Sequence, residues 1–324
     1  MRRRDFLKWS AAWAVFPGVL PGARLEFPRD EGAHPDFRTE WWYVTGWLDW
    51  PAGFQVTFFR ARNEADDANP SAFNPRQILL AHAAVSDPSR GRLVHEQRAA
   101  REGFSLAQAE AGRTAVWIDD WRLEQQGSAY SARVKGREVE LDLAISGKEI
   151  VLQGERGFSR KGHRPDEASY YYSRPHLEVS GQVNGRAARG TAWLDHEWSS
   201  AYLAPEAAGW DWCGINLLDG GSLMAFRMRS KAGGVHYAPP GVAFEVLRTW
   251  TSPRTGVAYP VSMRVTKDGR TLRLEPLMDD QELDARASTG TIYWEGAVRA
   301  YDAQGREAGR GYLELTGYWK PMKL

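Results

Sequence analysis

Turn signals divide this chain so closely that little besides antiparallel β-structure fits between them. Asn184-Gly185, Asp219-Gly220-Gly221, Asp268-Gly269 and Gln304-Gly305 are each flanked by runs rich in β-branched and aromatic residues. Asn, Asp and Gly reach the left-handed backbone of a tight hairpin at low cost, so these groups read as hairpin punctuation. Period-two alternation is clearest where Val139, Leu141, Leu143 and Ile145 interleave with Glu140, Asp142 and Ala144. From Thr39 onward, Trp41, Tyr43, Thr45 and Trp47 fall on one face and Trp42, Val44, Gly46 and Leu48 on the other, so both faces need covering. Further strands are expected over 53–60, 78–85, 115–123, 130–135 and 138–145. Beyond the N-terminal segment no stretch of ten residues or more keeps a helical apolar period, and no helix separates successive strands as a βαβ unit requires. The class is all-β, and this many strands must close into barrels or sandwiches to hide their edges.

The length suits two domains of ~100–200 residues each. The stretch 205–209 is a candidate linker, so the expected division is 26–200 and 201–324, with no residue-level repeat between the halves. One loop is long for a compact β-domain: 63–77 carries Asp66-Asp67, Asn69-Pro70 and Asn74-Pro75. A loop of that length is either a lid over a pocket or a solvated excursion.

Residues 1–25 read as an export signal. Arg3-Arg4-Asp5-Phe6-Leu7-Lys8 has the twin-arginine pattern, and the apolar run from Trp9 to Leu20 follows it. That run falls short of the ~20 residues a spanning helix needs, and Pro17-Gly18 interrupts it, so it is expected to be removed rather than to anchor. Ala12-Trp13-Ala14 and Pro21-Gly22-Ala23 compete as cleavage sites. The expected partner for export is the twin-arginine translocase, and the expected place of the mature chain is the periplasm or outside the cell, as a monomer. Cys213 is the single cysteine, which excludes an intrachain disulfide, a lipoprotein anchor in the leader and a cysteine-based zinc cluster. A net charge of +1 with no basic stripe offers nucleic acid no field.

No G-x-S-x-G, P-loop, dinucleotide-binding glycine turn or H-E-x-x-H occurs, so the familiar hydrolase, nucleotide and zincin chemistries lack support. Titratable and aromatic residues concentrate instead in three segments: His34 to Tyr43, Tyr170 to His176, and Trp193 to Trp198. Glu40 shares its face with Trp42 and Val44. It is either a carboxyl raised toward neutral by a neighbouring indole, or a rim residue paired with Arg38, Arg164 or Arg174. Asp195 and Glu197 share one face of their strand while Leu194, His196 and Trp198 share the other, so acids and imidazole converge only if the strand ends or bulges. A metal would need His34, His176 or His196 with Asp195, Glu197 or Glu40; no metal or cofactor is expected. Fifteen tryptophans in 324 residues suit walls of indole around an apolar ligand.

The strings H-P-D-F-R-T-E-W-W-Y-V-T-G-W-L from His34, S-Y-Y-Y-S-R-P from Ser169 and G-T-A-W-L-D-H-E-W-S-S from Gly190 resemble the AttH and carotenoid 1,2-hydratase family over nearly all of the mature chain. The resemblance implies two lipocalin-like antiparallel β-barrel domains in tandem, with a pocket at or near their junction. It also implies activities ranging from water addition to isoprenoid double bonds, through polyene cyclisation, to members labelled secreted hydrolases. Asp195, His196 and Trp198 match the hydratase's D-H-x-W string. The acid that the hydratase carries after a tyrosine on the next strand pair has no counterpart in Leu223 to Arg229, which favours the AttH-like branch.

The expected catalytic groups are therefore Glu40, Asp195 and His196. Trp41, Trp42, Tyr43, Tyr172, Arg174, His176, Trp198 and Trp210 are the expected contacts to an apolar small-molecule ligand, and Glu40, Tyr43, Tyr172, Arg174, His176, Asp195, His196 and Trp198 should cluster in space. The acids serve either as general acid and base in a hydratase-, isomerase- or hydrolase-type reaction, or as anchors in a carrier that hands a lipid to an ABC export system.

Overall fold

The computed structural model describes residues 17–63, 71 and 73–323. The twin-arginine motif, most of the apolar run after it and the Asp66-Asp67 and Asn69-Pro70 pairs lie outside the described residues. Among the described residues no helix is long and apolar enough to cross a membrane, and the strands fall into two antiparallel sheets. The first comprises β1 (Thr39–Leu48), β2 (Gly53–Arg62), β3 (Gln77–Ser86), β4 (Val94–Arg101), β5 (Ala107–Ala109), β6 (Ala115–Ile118), β7 (Trp121–Gln126), β8 (Ala129–Lys135), β9 (Glu140–Ser146), β10 (Val151–Leu152), β11 (Phe158–Arg160), β12 (Ala168–Val183) and β13 (Arg186–Ser199). The second comprises β14 (Ala207–Leu217), β15 (Ser222–Ser230), β16 (Val235–Tyr237), β17 (Val242–Thr251), β18 (Ala258–Lys267), β19 (Arg270–Pro276), β20 (Glu282–Ala285), β21 (Thr291–Tyr301) and β22 (Glu307–Leu315). These are the two lipocalin-like barrels in tandem that the sequence leads one to expect.

In the first sheet the path runs β4-β3-β2-β1-β13-β12-β9-β8-β7-β6-β5. Side chains bridge the gap that the ladder leaves beside β4. Glu96 accepts from the backbone amides of Glu138 and Val139 at 2.6 and 3.2 Å, and Arg98 donates to the carbonyls of Ile118 and Lys135. The second sheet runs β16-β15-β14-β22-β21-β19-β18-β17, and Arg227 on β15 donates to the Phe244 carbonyl on β17 at 2.7 Å. These side-chain contacts close each sheet where no backbone ladder joins its edges.

The expected turns are in place: Asn184 and Gly185 take φ of 49° and 73°, and Asp268 and Gly269 take 50° and 82°, the left-handed pair of a two-residue hairpin. Two expectations need correction. The run 115–123 is not one strand, because Asp119 adopts φ of 59° and turns the chain between β6 and β7. The stretch 205–209 is not all linker, since β14 already begins at Ala207.

Alternation splits the first barrel's strands between two apolar bodies. Trp42, Val44, Phe54, Val56, Phe58, Leu194 and Trp198 belong to the barrel interior. Tyr43, Trp47, Tyr171 and Trp193 face outward and pack with Trp210, Trp212, Phe226 and Tyr312 of the second barrel. The segment 25–37 enters the first barrel's mouth: Phe27 stands edge-on to Tyr172 at 5.1 Å, the Ala33 amide donates to the Glu110 carbonyl, and Trp42 and Thr114 donate to the Glu31 carbonyl. A Cβ on Gly32 would stand 2.1 Å from the Gly112 nitrogen, so only glycine lets the two backbones approach here.

Candidate functional site between the barrels

β1 and β13 pair with Glu40 opposite Trp198, Trp41 opposite Glu197, Trp42 opposite His196 and Tyr43 opposite Asp195. The register therefore sends Glu40, Trp42, His196 and Trp198 into the first barrel, and Trp41, Tyr43, Asp195 and Glu197 toward the junction.

Inside the barrel, Glu40 is fully buried and its two oxygens receive Arg60 Nε at 2.8 Å, the His34 amide at 2.9 Å, His34 Nδ1 at 2.7 Å and His196 Nε2 at 2.8 Å. Burial alone would raise this carboxyl. The Arg60 guanidinium and the two imidazoles outweigh it and hold Glu40 well below the usual carboxylate range. Of the two readings of Glu40, the contacts match the ion-paired one, with Arg60 as partner instead of Arg38, Arg164 or Arg174: these partners stabilise the anion. Burial pushes His196 down to about 4, so it is a neutral ring that also meets the Tyr172 hydroxyl at 3.2 Å and stacks on Trp42. His34 stacks on Trp198 at 3.7 Å, and Arg174 pairs with Glu31. The network is packed among apolar side chains.

The junction side is built differently. Asp195 accepts from the Tyr171 hydroxyl at 2.5 Å, from Ser173 Oγ at 2.5 Å and from Trp193 Nε1 at 2.6 Å, yet among the described residues no cation touches it and burial pushes it up to about 7. Glu197 pairs with Lys161 Nζ at 2.7 Å and accepts from Ser169; burial still raises it. Lys161 is itself 1% exposed, seated over the Phe226 ring at 3.9 Å. From the second barrel come Glu295 and Glu314. Burial pushes Glu314 up to about 7, and burial together with the neighbouring Glu314 raises Glu295 well above the ordinary range.

These acids stand beside a cavity of about 290 Å³ between the two sheets. Trp41, Phe59, Tyr202, Trp210, Trp212 and Met322 supply its apolar wall, and Asp195, Glu197, Glu295 and Glu314 its carboxyl groups. Glu40 and Arg60 also edge it, but their side chains turn to the barrel interior. Of the expected site residues, Trp41, Tyr43, Asp195 and Trp210 meet at this cavity, whereas Glu40, Trp42, Tyr172, Arg174, His196 and Trp198 form the packed interior group, so the expected cluster is divided between the two. His176 joins neither. It sits at a bulge in β12 with φ of 50°, donates its amide to Asn216 Oδ1 at 2.9 Å and meets the Gly221 carbonyl at 2.7 Å, beside a second cavity of about 250 Å³.

His34, Glu40 and His196 present ligand atoms within 4.8 Å of one another, as do Glu167, Glu206 and His236. In the first group Arg60 already neutralises the carboxylate, and in the second Arg164 pairs with Glu167 at 2.6 Å. The residues sequence reasoning missed are Lys161, Glu295, Glu314, Tyr293 and His82. The one available signal was an acid at every second position from aromatic neighbours, as in Ile292-Tyr293-Trp294-Glu295.

The AttH-like family model matches residues 18–318. A crystal structure of a putative AttH from Nitrosomonas europaea is 47% identical, covering 94% of this chain and all of that one, with a TM-score of 0.86. Kievitone hydratase from Nectria haematococca is similar in fold at 13% identity, covering 95% and 97% of the two chains with a TM-score of 0.62. The structure of CghA is similar at 12% identity and a TM-score of 0.50, covering 94% and 95%. No curated protein sequence matches the chain.

Proposed function

Because the chain belongs to the AttH-like family, we propose that it takes an apolar small molecule into the cavity between its barrels and acts on it by carboxyl acid–base chemistry. The observation that carries this reading is an aromatic-walled cavity whose polar groups are buried acids raised toward neutral pH, Asp195 among them. Acids poised near the working pH are the groups that can both give and take a proton. The indole faces would stabilise positive charge developing on the ligand. Kievitone hydratase, similar in fold, is by name an enzyme of water addition. A hydration here would move a proton from a cavity carboxyl to one carbon of a double bond. Water would then bond to the adjacent carbon and pass its surplus proton to a second cavity carboxylate and on to solvent. Glu40 has no part in this step, being held as an anion on the other face.

Incubating the purified protein with an apolar extract and identifying retained molecules by mass spectrometry tests the reading. Retention with chemical change is the expected result. Retention without change would assign the protein to carriage, with handover to a transport partner such as an ABC system. Retention of nothing apolar would overturn both. We further propose that Arg3 and Arg4 direct export by the twin-arginine route, so that replacing both with lysine leaves precursor in the cytoplasm; unchanged export would refute this.

A further inference from the structure

Glu295 on β21 and Glu314 on β22 are directly paired across the ladder, and both line the junction cavity. Opposed side chains on antiparallel strands stand about 4.5–5.5 Å apart at Cβ. Two carboxylates that close, with no cation between them, do not both ionise; one proton shared between them removes the repulsion. The groups facing the pair supply no such cation. Among the described residues they are Tyr43 from β1, Asp195 and Glu197 from β13, Tyr202 from the connection before β14, Trp210 from β14, and Tyr293 and Tyr312 from β21 and β22. Lys161 is committed to Glu197, and Lys323 lies exposed at the cavity rim.

The two acids are held unequally. Trp210 Nε1 donates to Glu314 Oε2 at 2.8 Å, and a donor that cannot accept favours the carboxylate form. Glu295 is 1% exposed, and the Tyr43 and Tyr293 hydroxyls lie beside it. In the resting arrangement neither of its oxygens closes a hydrogen bond of good geometry, nor does the Tyr43 hydroxyl, so a relay step through Tyr293 requires that hydroxyl to turn from His82 toward Glu295. A carboxyl buried without partners carries its proton. From Tyr293 a chain leads outward: its hydroxyl meets His82 Nδ1 at 2.7 Å, His82 Nε2 meets Ser288 Oγ at 2.8 Å, and Ser288 donates to Gln97 Oε1 at 2.7 Å. Burial pushes His82 down to about 3, so its ring is neutral and offers one donor and one acceptor, as a relay requires.

We propose that Glu295 and Glu314 share one proton as a carboxyl dyad, that Glu295 is the proton donor of the junction cavity, recharged through Tyr293, His82 and Ser288, and that the dyad restricts the cavity to neutral ligands. In the transfer the Glu295 O–H bond breaks as a bond from that hydrogen to the ligand forms, and the relay restores the proton from solvent. The roles as donor and filter rest on the cavity being the functional site; the shared proton does not.

Infrared titration of the wild-type chain, Glu295→Gln and Glu314→Gln tests the dyad, with circular dichroism confirming that each variant folds. A protonated carboxyl band beyond that of Asp195, itself pushed up to about 7, should persist at neutral pH, be lost in Glu295→Gln, and titrate at least tenfold more readily in Glu314→Gln, where the like charge is gone. Loss of the band near the ordinary value of 4.5 in all three chains would overturn it. Binding of dodecanol and of dodecanoate at pH 7 tests the filter. The alcohol should bind at least tenfold more tightly, with the gap narrowing in Glu314→Gln. Equal or tighter binding of the carboxylate would overturn the neutral-ligand clause. Binding of neither probe would count against the reading of the cavity as a whole, while the titration decides the shared proton by itself.

Discussion

The two faces of β1 and β13 carry the same residue types to opposite ends. On the barrel-interior face, one acid, Glu40, meets a guanidinium and two imidazoles in a packed core. On the junction face, Asp195 and Glu197 join Glu295 and Glu314 of the second barrel beside empty volume, and among the described residues only Glu197 has a cation partner, Lys161. Charge balance, not the presence of acids and aromatics, separates a structural network from a site. Where cations match anions the group is locked in one protonation state; where they do not, the proton becomes movable.

The sharpest way to break this comparison is Glu40→Gln, which strands the buried Arg60 charge. It should cost about 3–5 kcal/mol in chemical denaturation while leaving the cavity's titration unchanged. A loss under ~1 kcal/mol would mean the interior network is as dispensable as a surface pair. Next comes pH. Glu40 is depressed in the folded chain, so its contribution is present above the unfolded value near 4.5 and disappears as pH falls below it. Glu314 is raised, so its contribution is complete below 4.5 and is lost as pH climbs through about 7. Glu314→Gln should thus recover roughly 1–3 kcal/mol at pH 8 and nothing at pH 4, measured by denaturation at both pH values. Recovery at pH 4 would reverse the assignment.

A smaller effect is expected from Trp212→Phe, which removes the indole donor to the Tyr171 hydroxyl at 3.0 Å. Stability should drop by about 1 kcal/mol and ligand retention should weaken, whereas the interior network is untouched. The smallest belongs to His176→Gly. The residue is half-buried, lies at neither cluster and has φ of 50°, which glycine adopts freely. Stability should change by less than about 1 kcal/mol and ligand retention not at all; a lost ligand would place the site at the second cavity instead.

Strands and turns were legible because they depend on local pattern. Val139 to Ile145 announces its inward face, and Asn184-Gly185 its hairpin. Asp119-Asp120 escaped notice because a tight turn inside an apolar run looks like continued alternation. The site was half legible. Parity placed Glu40 with Trp42, and Asp195 with Glu197 on the face opposite His196, but parity does not reveal what lies across each face. That depends on Arg60 arriving from β2 and Lys161 from the loop before β12, and on Glu295 and Glu314 arriving from the second barrel. Those contacts span from 20 residues to more than 100, and no local signal encodes them.

The segment 25–37 bears on how the molecule comes together in time. It leads the described chain, yet its partners Tyr172 and Trp198 are made last in the first barrel. Contacts of such long sequence separation form late and slowly. The segment adds no strand to the ladder and is tied in mainly by side chains. The barrel ladder can therefore close first and receive its plug afterwards, and only then are the buried Glu31–Arg174 pair and the His34 contacts to Glu40 completed.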